Sequence, residues 1–263
     1  MVDARQAFDH AVSQGAEPYL GADRSFDMPA IKGIGGSLLY FVTYDGCSDP
    51  FAAEFVRLRP DRLQGVGFQY LDHLAHNVFK GNMDRWSRFY TDLFNFREIG
   101  FFKIDGKFTG LISQALTSPC GRIRIPINED RGETGQIVNY LKRYNGEGIQ
   151  HIAVGTKDLY GATDQIAANG VQFMPRPNLV YYDASHARVV GHGEPIERMQ
   201  AHGILIDGEG VMNGGQTKIL LQVFSRTMVG PIFFEFIQRK GDEGFGEGNF
   251  QALFESIERA DVA

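Results

Sequence analysis

The chain repeats part of itself, and this repeat limits its possible folds more than any other feature. Residues 3–15 and 158–170 place Asp, Asp and Gly at the same offsets. In both runs small and apolar residues recur at helical spacing, and the closing glycine suits the left-handed residue that ends a helix. A looser third copy over 82–94 gathers its apolar side chains on one helical face, and a turn is expected at Asn95. Such repeats indicate supersecondary units that bury a face against each other.

Strand-like segments complete the repeated unit. His73 and His151 lie 78 residues apart, and each begins a His-x-Ala pattern in a short apolar strand. Each complete copy is therefore predicted to be a βαβββ module, which gives an α+β fold. The strands expected after each helix lie at 101–104, 108–116 and 122–127 in one copy, and at 172–174, 204–207, 219–224 and 232–238 in the next.

The copy at the amino terminus is incomplete. Met1 falls where the turn from the opening strand into the helix is expected, so this copy lacks that strand. One interpretation is a truncated chain or a misplaced start codon, and the alternative is a natural short form.

Composition excludes several classes of partner. The 263 residues carry a formal net charge of -6 and contain no basic run of the kind that nucleic acid or an anionic membrane would require. The longest apolar stretches, at 219–224 and 231–237, are too short to span a membrane. Cys47 and Cys120 are too few for a disulfide framework, and residues 2–14 are polar and helical in pattern rather than typical of a signal peptide, so we expect free thiols in a cytoplasmic protein. A small molecule is the expected partner.

Three short strands each offer one potential metal ligand, namely His73, His151 and Glu235. Residues two apart share a face of a strand, so Ala75 and Ala153 lie beside the two imidazoles and leave room for a metal. Glu235 stands among phenylalanines, where a carboxylate is costly unless it is paired, hydrogen-bonded or bound to a metal. Two histidines and one carboxylate are the set that binds non-haem Fe(II) on one face. The alternatives are hydrogen-bonded core histidines and a glutamate paired with a buried arginine.

The other histidines are left out of this set. His76 follows His73 by three residues, so it is expected to face the other side of the strand. The rest lie on a helix or in a polar, glycine-rich region that favours a solvated loop, and these are His10, His186, His192 and His202.

Three amide residues are assigned from pattern alone. Gln150 precedes His151, and Gln222 lies on a strand that should neighbour the one bearing Glu235. Both residues could lie near a metal centre, or they could be ordinary surface amides. Asn128 ends an alternating strand and is expected to be a turn residue.

A glycine-rich run over 241–248 follows the last strand, and a helical pattern follows that run. The arrangement suits a hinge and a lid helix. A terminal helix that docks on the sheet for stability alone fits the pattern equally well.

Four longer motifs carry a family resemblance, and they lie at 121–129, 146–153, 233–241 and 244–250. In this order they resemble the 4-hydroxyphenylpyruvate dioxygenases of the vicinal oxygen chelate superfamily, and the likeness runs from about Val2 to Val262. It implies two complete modules that form a half-open barrel around a metal. The implied parts are a remnant of a non-catalytic domain over 1–68 and a catalytic domain over 69–263, which contains modules over 69–147 and 148–240 and a lid helix over 249–260.

The resemblance also implies the composition of the site. Fe(II) is held by the residues that match the family's two histidines and one glutamate, which are His73, His151 and Glu235. Ser113, Asn128 and Gln222 are expected to orient the phenol by hydrogen bonds, and the phenylalanines are expected to form a wall for its ring. The pocket residues implied are Ser113, Asn128, Gln136, Gln150, Gln222, Phe224, Phe233, Phe245, Asn249 and Phe250.

The implied activity is the conversion of 4-hydroxyphenylpyruvate and O2 to homogentisate and CO2 in tyrosine and phenylalanine catabolism. It combines oxidative decarboxylation, ring hydroxylation and side-chain migration. Hydroxymandelate synthase, which uses the same substrate, is the nearest alternative, but Phe224 favours ring hydroxylation because the mandelate-forming branch tends to have a smaller aliphatic residue there. A truncated, inactive form that only binds ligand is a second alternative. The expected partners are therefore an aryl 2-oxo acid and O2, and assembly as a homo-oligomer is left open.

Overall fold

Two βαβββ modules follow a shorter amino-terminal unit along the chain. The computed structural model describes residues 3–44, 51–52, 55–56, 64–105, 110–211, 217–249 and 252. The amino-terminal unit contains α1 (Ala4–Ser13), β1 (Ala30–Lys32), a 3-10 turn (Ile34–Gly36) and β2 (Leu38–Tyr40). The first module contains β3 (Phe68–Val78), α2 (Met83–Phe94), β4 (Arg97–Asp105), β5 (Gly110–Thr117) and β6 (Arg124–Asp130). After α3 (Gln136–Tyr144), the second module contains β7 (Gly148–Thr156), α4 (Leu159–Ala168), α5 (Leu179–Asp183), α6 (Ser185–Arg188), α7 (Ile196–His202), β8 (Leu205–Glu209), β9 (Lys218–Phe224) and β10 (Phe233–Lys240).

The strands of the two modules form one eight-stranded sheet in the order β4-β5-β6-β3-β7-β10-β9-β8. In each module the first strand pairs in parallel with the last, as β3 does with β6 and β7 does with β10. The other neighbours are antiparallel, and the pairing of β3 with β7 joins the two modules. The α+β fold and the βαβββ plan predicted from the repeat are therefore confirmed.

The repeated helices α1 and α4 begin and end alike. The side chains of Asp3 and Asp158 cap them by accepting hydrogen bonds of 3.0 Å from backbone N–H groups in the first turn. Beyond each helix the chain turns through a glycine of positive φ, with Gly15 at 98° and Gly170 at 90°. Glycine adopts this conformation without steric cost, which explains why the repeat retains it.

Helices cover one face of the sheet, and a pocket occupies the other. Ile125 and Ile127 of β6 pack in a buried cluster with Trp86 of α2. Pro126 and Asn128, which alternate with them, line the pocket. Because successive strand residues face opposite sides, the sheet separates the helical core from the pocket. Among the helices of the described residues, none combines the length and the apolar character needed to cross a membrane.

The glycine-rich region around His186, His192 and His202, which was expected to be a solvated loop, instead folds into the short helices α5 to α7. Tyr181 and Tyr182 of α5 are 0% and 1% exposed. His192 is buried and stacks on His186, with ring centroids 4.5 Å apart. Helices this short show no periodic pattern in the sequence and depend on tertiary burial for their stability. The strand expected at 172–174 is also absent, because Phe173 forms only an isolated bridge.

The predicted lid helix over 249–260 lies almost wholly outside the described residues. Of this range the structure describes only Asn249 and Ala252, and the backbone is helical at 247–249. The lid helix therefore stays a prediction. The domain boundary between residues 68 and 69 also stays a prediction.

Candidate metal centre

Three adjacent strands bring His73, His151 and Glu235 together. The strands are β3, β7 and β10, and β7 lies between the other two. The Nε2 atoms of the two histidines lie 3.3 Å apart, and Oε2 of Glu235 lies 3.2 Å from Nε2 of His73 and 3.3 Å from Nε2 of His151. Two ligand atoms at right angles and about 2.1 Å from a metal lie about 3 Å apart, so this triangle fits one face of an octahedral ion.

The small residues of the His-x-Ala patterns lie opposite the candidate ligands. Ala153 is the cross-strand partner of both His73 and Glu235, and Ala75 is the partner of His151. Cross-strand partners place their side chains on the same face of the sheet. The alanines therefore leave room for the imidazoles to converge, which is the arrangement the sequence pattern predicted.

The pKa values of the two histidines at the centre shift in opposite directions. Burial opposes a charge on His73, but the carboxylates of Glu235 and Asp72 outweigh it and raise the pKa of His73 to about 9. At His151 burial dominates over Glu235 and lowers the pKa. Burial would raise the pKa of Glu235, but the two histidines outweigh it and hold that pKa well below its ordinary range. Glu235 is thus an ionised donor and His151 a neutral one, as metal ligands must be, whereas His73 would release a proton when a metal binds.

Two β-bulges supply the hydrogen-bond partners of the histidines. The pairing of β3 with β7 steps from Leu71–Val154 to His73–Ala153, which leaves Asp72 as an extra residue in β3. A bulge re-aims the side chain that it carries. Oδ1 of Asp72 lies 2.8 Å from Nδ1 of His73.

A second β-bulge lies beside His151. The pairing steps from Ala75–His151 to His76–Ile149, so Gln150 is the extra residue in β7. Its Oε1 lies 3.2 Å from Nδ1 of His151. An acceptor at Nδ1 fixes the proton there and leaves Nε2 of each histidine free to bind a metal.

The candidate ligands form part of the wall of a pocket that is lined mainly by apolar and aromatic side chains with a few amide and hydroxyl groups. Such a lining is typical of sites for small molecules. Aromatic rings lie beside both histidines, since Phe233 stacks on His151 at 5.0 Å and Phe245 lies edge-on to His73 at 5.3 Å. A metal here would have one side facing protein ligands and the other facing the pocket.

Known proteins share this architecture. The model of the Glyoxalase/Bleomycin resistance protein/Dioxygenase superfamily matches residues 70–189, and that of "Hydroxyphenylpyruvate dioxygenase, HPPD, N-terminal" matches residues 1–55. The 4-hydroxyphenylpyruvate dioxygenase of Pseudomonas aeruginosa is 50% identical over 265 residues, covering 99% of this chain and 72% of the relative. That of Legionella pneumophila is 48% identical over 261 residues, covering 99% and 73%. The chain belongs to the 4-hydroxyphenylpyruvate dioxygenase family.

A solved structure shares this fold. A mutant of 4-hydroxymandelate synthase from Streptomyces coelicolor matches with a TM-score of 0.73 at 27% identity, covering 99% of this chain and 74% of the other. The half-barrel of vicinal oxygen chelate modules, expected from the sequence, is therefore confirmed.

Most of the substrate residues expected from the 4-hydroxyphenylpyruvate dioxygenase family surround the pocket. Those that line it are Ser113, Asn128, Gln136, Gln150, Gln222, Phe224 and Phe245. Phe233 lies behind His151, Asn249 donates a hydrogen bond of 2.8 Å to Gln222, and Phe250 lies outside the described residues. Their role in substrate binding stays a prediction.

Asn128 is not a turn residue, as its pattern alone suggested, but part of β6. It pairs across the sheet with Ser113, so the two polar side chains share the pocket face. The alternating run continues through Asn128 because β6 is paired on both sides, with β5 and with β3.

Gln222 lines the pocket and also contacts the metal centre. Its amide nitrogen donates hydrogen bonds to Oε1 of Glu235 at 2.8 Å and to the carbonyl of Phe245 at 3.3 Å. Its oxygen accepts from Asn249. The amide is therefore occupied in orienting Glu235, a role that the sequence did not suggest.

Other pocket residues were missed. Two of them, Leu111 and Pro126, lie two positions from Ser113 and Asn128 on the same strands, a spacing that could have identified them. The missed residues are Phe102, Ile104, Leu111, Pro126, Ile137 and Glu247.

His76, which was left out of the ligand set, lies on the helical face of the sheet. Its Nε2 is 2.7 Å from the hydroxyl of Tyr90 on α2. In the described part of the chain, His73, His151 and Glu235 form the group of side chains that could hold a metal.

Proposed function

We propose that the chain is a Fe(II)-dependent dioxygenase that converts 4-hydroxyphenylpyruvate and O2 to homogentisate and CO2. The observation that carries this proposal is the triangle of His73, His151 and Glu235 in the wall of a small-molecule pocket. Two histidines and a carboxylate with free positions on one side are characteristic of non-haem Fe(II) oxygenases. Relatives named 4-hydroxyphenylpyruvate dioxygenase support the choice of substrate.

The protein's part in this reaction is to bind the metal and the substrate, to orient the substrate and to exclude water. Fe(II), when bound, supplies the redox chemistry that couples O2 to oxidation of the 2-oxo acid. His73, His151 and Glu235 would hold it. Asp72 and Gln150 keep the histidine Nδ1 atoms protonated, which presents Nε2 to the ion.

The pocket walls suit an aryl substrate. Phe224 lies 6.4 Å from His151 between ring centroids and 6.0 Å from Phe233, so aromatic rings surround the space beside the centre. We place the substrate ring against Phe224 and Phe245. Ser113 and Asn128 face each other on β5 and β6 and would hydrogen-bond the phenol.

The sequence-based division of the chain belongs to the same proposal. Residues 1–68 would form a non-catalytic unit and residues 69–263 the catalytic domain. The two modules of that domain would span 69–147 and 148–240, followed by the lid helix. A cytoplasmic location and a homo-oligomer stay predictions.

Product analysis tests the activity. The purified chain is loaded with Fe(II) without oxygen, mixed with 4-hydroxyphenylpyruvate and O2, and assayed for oxygen uptake, CO2 and aromatic products. Homogentisate and CO2 in equal amounts are expected. Hydroxymandelate as the main product would favour the synthase alternative, for which the Streptomyces coelicolor likeness is the supporting observation. Iron and substrate binding without oxygen uptake would favour the inactive form.

A further inference from the structure

Arg239 is a buried arginine for which the proposed reaction gives no role. It lies near the end of β10, four residues after Glu235, and its side chain is 8% exposed. Its Nε and Nη2 atoms donate to the two carboxylate oxygens of Asp72, both at 2.8 Å. Its Nη1 atom donates to the carbonyls of Asp242 at 3.1 Å and Gly244 at 2.7 Å. The guanidinium thus joins a side chain of β3 to the backbone that follows β10.

The carboxylate that Arg239 holds is the one that orients a candidate metal ligand. Oδ1 of Asp72 accepts from Arg239 and lies 2.8 Å from Nδ1 of His73. Asp72 is buried, and the bonds from Arg239 and His73 outweigh burial and lower its pKa to about 2. Without Arg239, Asp72 would be a buried carboxylate whose remaining partners are His73 and the more distant Arg124, whose Nη1 lies 3.9 Å from Oδ2 of Asp72, an arrangement that costs free energy.

The backbone that Arg239 holds belongs to the pocket. Phe245 lines the pocket, its ring lies 5.3 Å from the ring of His73, and the guanidinium of Arg239 lies 5.9 Å from its centroid. A second route reaches the same segment, because Gln222 bonds both Glu235 and the carbonyl of Phe245. Residues 242–249 are therefore linked by side chains to two of the three candidate ligands.

We propose that Arg239 is a positioning residue that makes metal binding at His73 and the placement of residues 242–249 depend on each other. The inference rests on the proposed metal site. A metal that fixes His73 fixes Asp72, Arg239 and the carbonyls that Arg239 holds. Coupling of this kind is reciprocal, so a displaced segment weakens metal binding by the same factor by which metal binding favours the ordered segment.

Hydrogen exchange in the unmodified chain tests the first half of the inference. Several amides of the segment donate hydrogen bonds, including those of Gly244, Phe245 and Gly248. Their exchange therefore reports opening of the segment. Co(II) is the probe, added alone. Slower exchange in 242–249 on Co(II) loading is expected, and unchanged exchange in a chain that binds Co(II) would overturn the inference.

Matched variants test the second half. Arg239→Met removes the connecting side chain, whereas Lys240→Met removes the same charge from the next residue, whose ammonium pairs with Glu194 instead. We expect Arg239→Met to raise the Kd for Co(II) about 10- to 100-fold, the usual effect of losing a partner of a ligand. It should also reduce the Co(II)-dependent slowing of exchange to what the route through Gln222 still transmits, while Lys240→Met should change neither.

The outcomes separate this inference from the proposed function. If the wild-type chain does not bind Co(II), the metal site itself fails and the inference fails with it. If the wild-type chain binds Co(II) but Arg239→Met keeps the wild-type Kd and exchange, only the positioning role fails. The positioning role also fails if Lys240→Met changes the Kd and the exchange as much as Arg239→Met does. Should Arg239→Met not fold, Arg239→Lys keeps the charge but cannot make all four bonds, and a wild-type Kd and exchange pattern in that variant would refute the role.

Discussion

Replacing Ala153 by valine is expected to destroy the metal site while the fold persists. Ala153 is fully buried and pairs with His73 on one side and Glu235 on the other. Cross-strand Cβ atoms lie about 4.5–5.5 Å apart. A valine methyl extends about 1.5 Å from its Cβ, so it would come within about 3–4 Å of a ligand's Cβ. Because β7 lies between β3 and β10, a valine at position 153 must point one methyl towards the strand that carries His73 or the strand that carries Glu235.

This crowding exceeds what a metal site tolerates. Carbon atoms prefer a separation of about 3.5–4 Å, so at an approach of about 3 Å a ligand side chain must move by about 0.5–1 Å, whereas metal–ligand distances hold within about 0.2 Å. We expect Ala153→Val to weaken Co(II) binding by at least about 100-fold, which is about 2.8 kcal/mol at about 1.4 kcal/mol per factor of ten. Overpacking should lower the free energy of unfolding by about 1–3 kcal/mol.

Competition with a chromogenic chelator measures the Co(II) affinity, and circular dichroism with denaturant titration measures the fold. Ala153→Gly is the matched control, because it keeps the space at a cost of about 0.5–1 kcal/mol in stability. It should bind Co(II) as the wild type does. A folded Ala153→Val variant that binds Co(II) within about threefold of the wild type would refute the reasoning.

Three other predictions follow from buried polar groups. Glu235→Ala should abolish Fe(II) binding with the fold intact, and iron retained at full stoichiometry would refute the triad. Glu147→Ala removes the acceptor of hydrogen bonds from Phe79, Asn82 and Trp86 and should lower the free energy of unfolding by about 3–5 kcal/mol; a loss below about 1 kcal/mol in denaturant titration would contradict this. Burial lowers the pKa of His76 to about 4, so the unfolded state binds more protons between about pH 4 and 6.5 and stability falls as the pH drops. His76 should contribute a loss of about 2 kcal/mol from pH 7 to 5, and a His76→Gln variant with the wild-type pH slope would exclude this cause.

The sequence predicted the modules and the convergence of the candidate ligands because both depend on local periodicity. Helices capped by Asp3 and Asp158 show their apolar stripe over more than two turns. The strands with His73 and His151 show the same short pattern twice. Two-residue alternation then fixes which side chains share a face, before any tertiary contact is known.

What the sequence did not predict depends on pairing between distant segments. The bulges at Asp72 and Gln150 exist because β3 and β7 pair with shifted register, and neither strand alone contains that information. The helices α5 to α7 were missed because they depend on burial of Tyr181 and Tyr182 beneath the second module. The link from Arg239 to Asp72 spans 167 residues, so no local pattern could indicate it.

The two bulges also show how a repeated module becomes asymmetric. Asp72 and Gln150 occupy the same place, one residue before the histidine of each module. The carboxylate recruits Arg239 and helps raise the pKa of its histidine, whereas beside the neutral amide burial lowers the pKa of His151. Because Arg239 comes from the end of the second module, it connects the histidine of the first module to the segment that follows the last strand. The duplicated fold supplies two equivalent imidazoles, and a carboxylate in place of an amide at this position gives one of them a hydrogen-bonded route to the segment that follows β10.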